Sequence, residues 1–262
     1  AATPDLIGSM LTIVATSSLL LAIVQGPEWG WLSYPLLGLM VFFVVTILAL
    51  VRHTMSHNDP IMPPILFTIR TFRIASIAVF LFSLGFLSTF VALVLFLTGI
   101  WGYSALEAGF AITGLPVMAV ITANVAGRLA ERFGFKATIV PGCAAFTCGA
   151  LWLWAFMGPQ PDPLWALFPA TIMMGIGIGA APAILNGAGV AAVEPGYFSV
   201  AGAVGQTARQ LGTAIGVAIL VAIIGNPSDL ASSLDAFDQA FLYLAIVTGL
   251  AGITAMGLRT ER

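Results

Sequence analysis

The chain has 262 residues, of which 60% are hydrophobic and 8% charged, against roughly 25% charged in soluble domains. With a mean hydropathy of +1.05, this excludes a water-soluble globule and makes lipid the solvent. A net charge of −2, from nine basic and eleven acidic residues, excludes a nucleic-acid partner, which needs clustered Lys and Arg to displace counterions from phosphates.

A bilayer core of about 30 Å takes about 20 apolar residues in a helix. Eight predominantly apolar runs of that order follow one another, at residues 6–26, 33–51, 74–98, 108–127, 137–158, 164–185, 197–225 and 237–257. The pattern predicts an all-α integral membrane protein with eight transmembrane helices. The opening AATPDL has no initiator Met and no basic stretch before a short apolar core, so it does not read as a signal peptide and is expected to be a cut end.

Basic residues are retained in cytoplasmic loops. With the N-terminus inside, Arg52, Arg70, Arg73, Arg128, Arg132, Lys136, Arg259 and Arg262 all fall inside, and only Arg209 lies within a span. Glu28, Glu107, Asp162, Asp229, Asp235 and Asp238 then occupy outer loops. Trp29, Trp31, Trp101, Trp152, Trp154 and Trp165 all come to the outer ends, as a belt of lipid-facing anchors would. The expected location is a cell membrane, with both ends of this chain cytoplasmic.

Residues with chemistry to offer are few. His53 and His57 have the i, i+4 spacing of a metal pair and Asp59 follows, but no third ligand is well placed and no metal site is assigned. The segment 59–73 reads instead as an amphipathic stretch on the inner leaflet. In the third span Phe86 and Phe90 lie one turn apart, either as lipid packing or as a sticky wall for a flat apolar cation, with Asn124 of the fourth span as polar contact. Glu107 starts the fourth span, as a solvated charge at a helix N-terminus or as a proton carrier.

Cys143 and Cys148 lie five apart in one apolar run, about 140° from each other around a helix, and form neither a disulfide framework nor a metal site. GIGIGAAP, at 175–182, follows no strand and reads as close helix packing rather than a dinucleotide loop. Gly212 and Gly216 read the same way, and Pro182 with 186–189 is expected to break the inner end of the sixth span. Arg209, flanked by Gln206 and Gln210, is a charge inside a span. It either snorkels to the inner interface or serves a cavity. No nucleophile triad, paired intramembrane acids or nucleotide loop appears in the sequence, so neither an enzyme nor a bound cofactor is expected.

The loop AGRLAERFGFKA, 126–137, carries a more specific signal. Gly127, Leu129, Ala130, Glu131, Arg132, Gly134 and Lys136 resemble the G-x-L-A-D-R-x-G-R-K loop of the major facilitator superfamily, with Glu131 in place of the usual Asp and Phe135 in place of a basic residue. In that family the loop follows the second helix of each six-helix half and latches the inward gate through salt bridges that form in one transport state and break in the other. The resemblance implies that 74–262 is a C-terminal six-helix bundle of 3+3 inverted repeats. Residues 1–52 would then be two linker helices and 53–73 a cytoplasmic juxtamembrane loop.

Two helices before the bundle are similar to the fourteen-helix drug:proton antiporter branch. So are the phrases GPEWGW (26–31), DPIMPPILFTIRTF (59–72) and AGAVGQTARQLGTAIGVAI (201–219). The resemblance implies proton-coupled export of amphipathic or cationic drugs, with Glu131 and Arg132 gating and the spans at 74–98, 108–127, 164–185 and 197–225 lining half of the pathway. A facilitator for another solute, such as an organic acid or siderophore, and a truncated, non-transporting membrane protein are the alternatives. The family's proton-handling acid belongs to the N-terminal half, so the expected partners are lipid, a small-molecule substrate and protons handled by that half.

Overall fold

The computed structural model describes residues 6–30, 33–56 and 64–258. Among these every regular element is helical: α1 (Leu6–Trp29), α2 (Tyr34–Ser56), α3 (Arg70–Gly99), α4 (Ala105–Ala111), α5 (Gly114–Phe133), α6 (Phe135–Phe156), α7 (Phe168–Ala180), α8 (Pro182–Ala191), α9 (Phe198–Ile224) and α10 (Leu230–Ala255). A 3-10 turn at Pro64–Thr68 precedes α3, another at Pro195–Tyr197 precedes α9, and a π turn at Pro163–Leu167 precedes α7.

Among the described residues, seven stretches are long and apolar enough to cross a membrane: α2, α3, α4 with α5, α6, α7 with α8, α9 and α10. Helix α1 has 24 residues, about 36 Å at 1.5 Å each, with a shorter apolar stretch at Met10–Leu19. All eight expected runs are therefore helical, and the chain is an all-α, multi-pass membrane protein. Trp31, His57, Asp59, Arg259 and Arg262 lie outside the described residues.

Two crossings start earlier than hydropathy alone places them, for one reason. Ser104 and Glu107 form a capping box that starts α4 at Ala105, and Asp229 and Ser232 form another that starts α10 at Leu230. Each box satisfies N–H groups that have no partner inside the helix. Asp235 and Asp238, expected in an outer loop, therefore sit in the first turns of α10. The first turn of α3 likewise takes in Arg70 and Arg73.

Proline divides two crossings expected to be single helices. Pro116 has no N–H for the carbonyl of Ile112 four residues back, and the chain turns at 112–113 between α4 and α5. Pro182 separates α7 from α8 at Ala181. The segment 186–189, expected to break its helix, is helical within α8.

Helix α3 is the hub. Helices α8, α9 and α10 pack on it, α6 lies between α10 and α7, and α7 bridges α6 and α5. Backbone proximity is set by glycines, as the small-residue phrases suggested. A Cβ at Gly175 would stand 2.7 Å from the Leu115 carbonyl oxygen of α5, and one at Gly177 would stand 2.6 Å from the Gly142 carbonyl oxygen of α6. The i, i+2, i+4 glycines of GIGIG thus serve opposite sides of α7, with Gly179 again meeting α5 at Ala119. On α9, Gly212 and Gly216 press on the Phe80 and Leu84 carbonyls of α3. In a bundle packed in lipid, such close approach is the main source of helix–helix attraction.

Several buried hydroxyls bond within the bundle, although Thr138 Oγ1 has no partner among the described residues. Ser88 Oγ donates to the Leu84 carbonyl at 2.7 Å, and Thr147 and Thr248 hydroxyls meet at 3.0 Å between α6 and α10.

The tryptophan end is less uniform than a belt of lipid anchors. Trp29, Trp154 and Trp165 are exposed, but Trp101 is 7% exposed, and its indole N–H donates to the Gly158 carbonyl at 2.9 Å. It ties the α3–α4 connection to the end of α6. Trp152 donates to the Trp165 carbonyl at 3.1 Å, and their rings stack edge-on at 5.7 Å.

Candidate transport pathway and gating loop

The loop that carries the family-like motif is a one-residue connection. Gly134 closes α5 by donating its N–H to the Ala130 carbonyl at 2.9 Å and opens α6 with φ of 86°. That left-handed backbone requires glycine, which explains its place in the motif. Gly127 behaves differently: it is exposed, and a Cβ there would meet nothing within 4 Å, so no helix among the described residues approaches it closely.

Glu131 and Arg132 are both exposed and Lys136 is half-buried. The Arg132 guanidinium lies 5.2 Å from the centroid of the Phe133 ring. Among the described residues Glu131 is in no ion pair, with Arg132 or with any other cation.

Phe86 and Phe90 are half-buried, packed edge-on to each other at 5.9 Å and against the core. Asn124 lies on the exposed face of α5 and donates to the Val120 carbonyl of its own helix at 2.8 Å, so its amide is partly satisfied locally. Glu107 is held by its capping box: its carboxylate accepts from Ser104 N–H and Ser104 Oγ, both at 2.8 Å.

Gln206, Arg209 and Gln210 share one exposed face of α9. Arg209 stands about 16 Å from the start of this 27-residue helix.

The distribution of exposure separates the helices into two kinds. The stretches containing α3, α7 with α8, and α10 are 56%, 56% and 50% buried over their most apolar windows, whereas those containing α2, α5 and α9 are 11%, 11% and 17% buried. On α2 the exposed side chains include Val41, Phe42, Val44, Val45 and Leu48, a surface that lipid solvates. The open faces of α5 and α9 carry Asn124, Arg128, Gln206, Arg209 and Gln210. Hydrocarbon does not solvate those groups, which need water, a polar interface or protein around them.

Some contacts were not foreseen from sequence. Tyr243 of α10 reaches the Leu84 and Gly216 carbonyls, both at 3.4 Å, so one hydroxyl spans the tightest α3–α9 crossing. The Asn186 side chain packs on Gly205 of α9. A cavity of about 280 Å³ opens between the ends of α3 and α9 and the start of α10, lined by Leu95, Ile100, Val221, Ile224, Pro227 and Phe237 among others. No sequence spacing marks that cavity, because its walls come from three separate crossings.

The comparison with known proteins agrees with the motif. Residues 75–262 match the family model described as Major Facilitator Superfamily. The chain is 28% identical over 225 residues to the multidrug transporter protein MdtP of Bacillus subtilis, covering 86% of this chain and 41% of that protein. It is 27% identical over 224 residues to the methylenomycin A resistance protein of Streptomyces coelicolor, covering 85% and 46%. To the puromycin resistance protein pur8 of Streptomyces alboniger it is 30% identical over 218 residues, covering 82% and 43%. The chain spans less than half the length of these relatives. A match of the family model over most of the chain, on a bundle that carries the Gly127 to Lys136 loop, shows that this chain belongs to the major facilitator superfamily.

Proposed function

We propose that the chain forms one half of the pathway of a secondary exporter of the fourteen-helix branch, exchanging amphipathic or cationic drugs for protons by alternating access. The observation that carries this reading is the polar open face of α9, where Gln206, Arg209 and Gln210 are exposed together. Together with the open face of α5 it makes two surfaces suited to a second six-helix half across an aqueous pathway. The relatives whose printed names denote multidrug or antibiotic resistance support drug-like substrates.

In this reading the basic end is cytoplasmic. Glu131 and Arg132 latch the closed gate across the junction of the halves, and Gln206, Arg209 and Gln210 line the pathway. Phe86 and Phe90 form its aromatic wall. Glu107 is committed to its capping box, so proton transfer is assigned to the other half.

The test is ethidium flux into proteoliposomes containing the chain within its full reading frame, driven by an imposed pH gradient. Saturable, gradient-dependent flux that Arg209→Gln lowers about tenfold, the worth of one charge-assisted contact, is the expected result. Competition by organic acids instead of cations would make the protein a facilitator for another solute. Absence of any saturable flux would make it a non-transporting membrane protein.

A further inference from the structure

The 3-10 turn at Pro64–Thr68 is a built element. Thr68 Oγ1 donates to the Ile65 carbonyl at 2.7 Å, and Ile69 N–H donates to the Leu66 carbonyl at 3.2 Å. Leu66 is fully buried in a small cluster with Phe72, Val193 and Ala201, where the start of α3 meets the α8–α9 connection. With Leu66 pinned inward, its neighbours are held outward: Ile65 is 57% exposed and Phe67 41%. The Phe67 ring is fixed edge-on to Phe72 at 5.8 Å.

Arg70 and Arg73 follow at once. They are three residues apart in the first turn of α3, hence on one face, and both are exposed. Ile77, 46% exposed, continues the same stripe into the span. Among the described residues neither arginine is in an ion pair.

Two exposed guanidinium groups with no ion pair among the described residues, flanked by outward apolar side chains at the end of a membrane span, match one ligand chemistry, a phosphate-bearing anionic headgroup with acyl chains beneath it. Guanidinium offers phosphate a bidentate fit, while a zwitterionic headgroup adds an ammonium that repels the pair. We propose that Ile65, Phe67, Arg70 and Arg73 form a binding site for an anionic phospholipid, the arginines taking the headgroup and Ile65 and Phe67 lying at the top of the chains. Leu66 joins this site to the α8–α9 connection, so the bound lipid sits against a junction of three crossings. The site is independent of which solute is transported.

The test uses the chain within its full reading frame, purified in detergent, titrated with dioleoyl phosphatidylglycerol or dioleoyl phosphatidylcholine and read by native mass spectrometry. Each arginine near an anionic lipid is worth about fivefold, so the anionic lipid should bind about twenty-five-fold better. Arg70→Gln combined with Arg73→Gln should abolish that preference, and Phe67→Ser should weaken both lipids. Arg52→Gln, removing an exposed charge from α2, should change neither.

An unchanged preference in the double variant would overturn the proposal. An equal loss in Arg52→Gln would do so too, by reducing the effect to diffuse attraction, and displacement of the lipid by glycerol 3-phosphate would make this a site for soluble phosphate esters. Should the glutamine pair fail to fold, Arg70→Lys with Arg73→Lys decides. It retains charge and loses the bidentate fit, so a partial preference supports the site and a full one overturns the arginine assignment.

Discussion

At the scale of single residues, the glycines divide into those held by a neighbour and those held by the backbone. Gly216 lies directly against the Leu84 carbonyl, so Gly216→Ala forces α9 from α3 and should destabilise the bundle by about 1–3 kcal/mol. Gly127 has open space around it, and Gly127→Ala should raise stability by about 0.5–1 kcal/mol through helix propensity. Thermal unfolding of the two purified variants checks the opposite signs.

Asp229 gives a pH prediction. The Ser232 N–H, and secondly its hydroxyl, hold the exposed Asp229 carboxyl below its ordinary value. A depressed folded-state pKa contributes stability that is complete above the ordinary aspartate range and is lost as pH falls through the lowered value. Asp229→Asn keeps a capping side chain without the titration. Its thermal midpoint should therefore fall less on acidification than that of the parent, and parallel profiles would remove this carboxylate from the acid response.

At the scale of helices, the apolar runs were legible because each is long and bounded by charge or Gly/Pro. The true starts at Ala105 and Leu230 were also present in the sequence, as S-x-x-E at 104–107 and D-x-x-S at 229–232, but a hydropathy window does not register a cap. Connections are held by equally local devices. Trp101→Phe removes the bond to the Gly158 carbonyl while keeping the ring's contacts with Phe96 and Tyr103, and should cost about 1 kcal/mol in thermal or denaturant unfolding. A loss no larger than that of Trp154→Phe, an exposed indole, would show that Trp101 is only an interfacial anchor.

At the scale of the molecule, the two kinds of exposed surface carry the functional reading. Helix α2 presents apolar side chains to lipid, while α5 presents Asn124 and α9 presents Gln206, Arg209 and Gln210 on exposed faces. Reaction of single cysteines with a membrane-impermeant thiol reagent separates these environments. In the full reading frame, with Cys143 and Cys148 replaced, Gln210→Cys should label from the aqueous phase and Val45→Cys should not. Protection of Gln210→Cys under all conditions would place that face against lipid or a closed protein surface.

By itself the amino-acid sequence determined that the protein is a helical membrane protein and that its 126–137 loop is of the facilitator type; of the eight crossings it suggested, seven are long and apolar enough among the described residues, the apolar stretch of α1 being shorter. These follow from composition, run length and local spacing, which one stretch of chain carries unaided. It also placed the glycine stripes correctly as packing surfaces.

Only the tertiary structure decided which face of each crossing is covered. It put Trp101 inside, split two crossings at proline, left Glu131 without an ionic partner among the described residues, and turned the polar stripe of α9 outward. Those outcomes depend on which helices meet, and in lipid that is settled by close backbone approach at a few glycines and by hydroxyl bonds between distant crossings, not by hydrophobicity, which is nearly uniform along the chain.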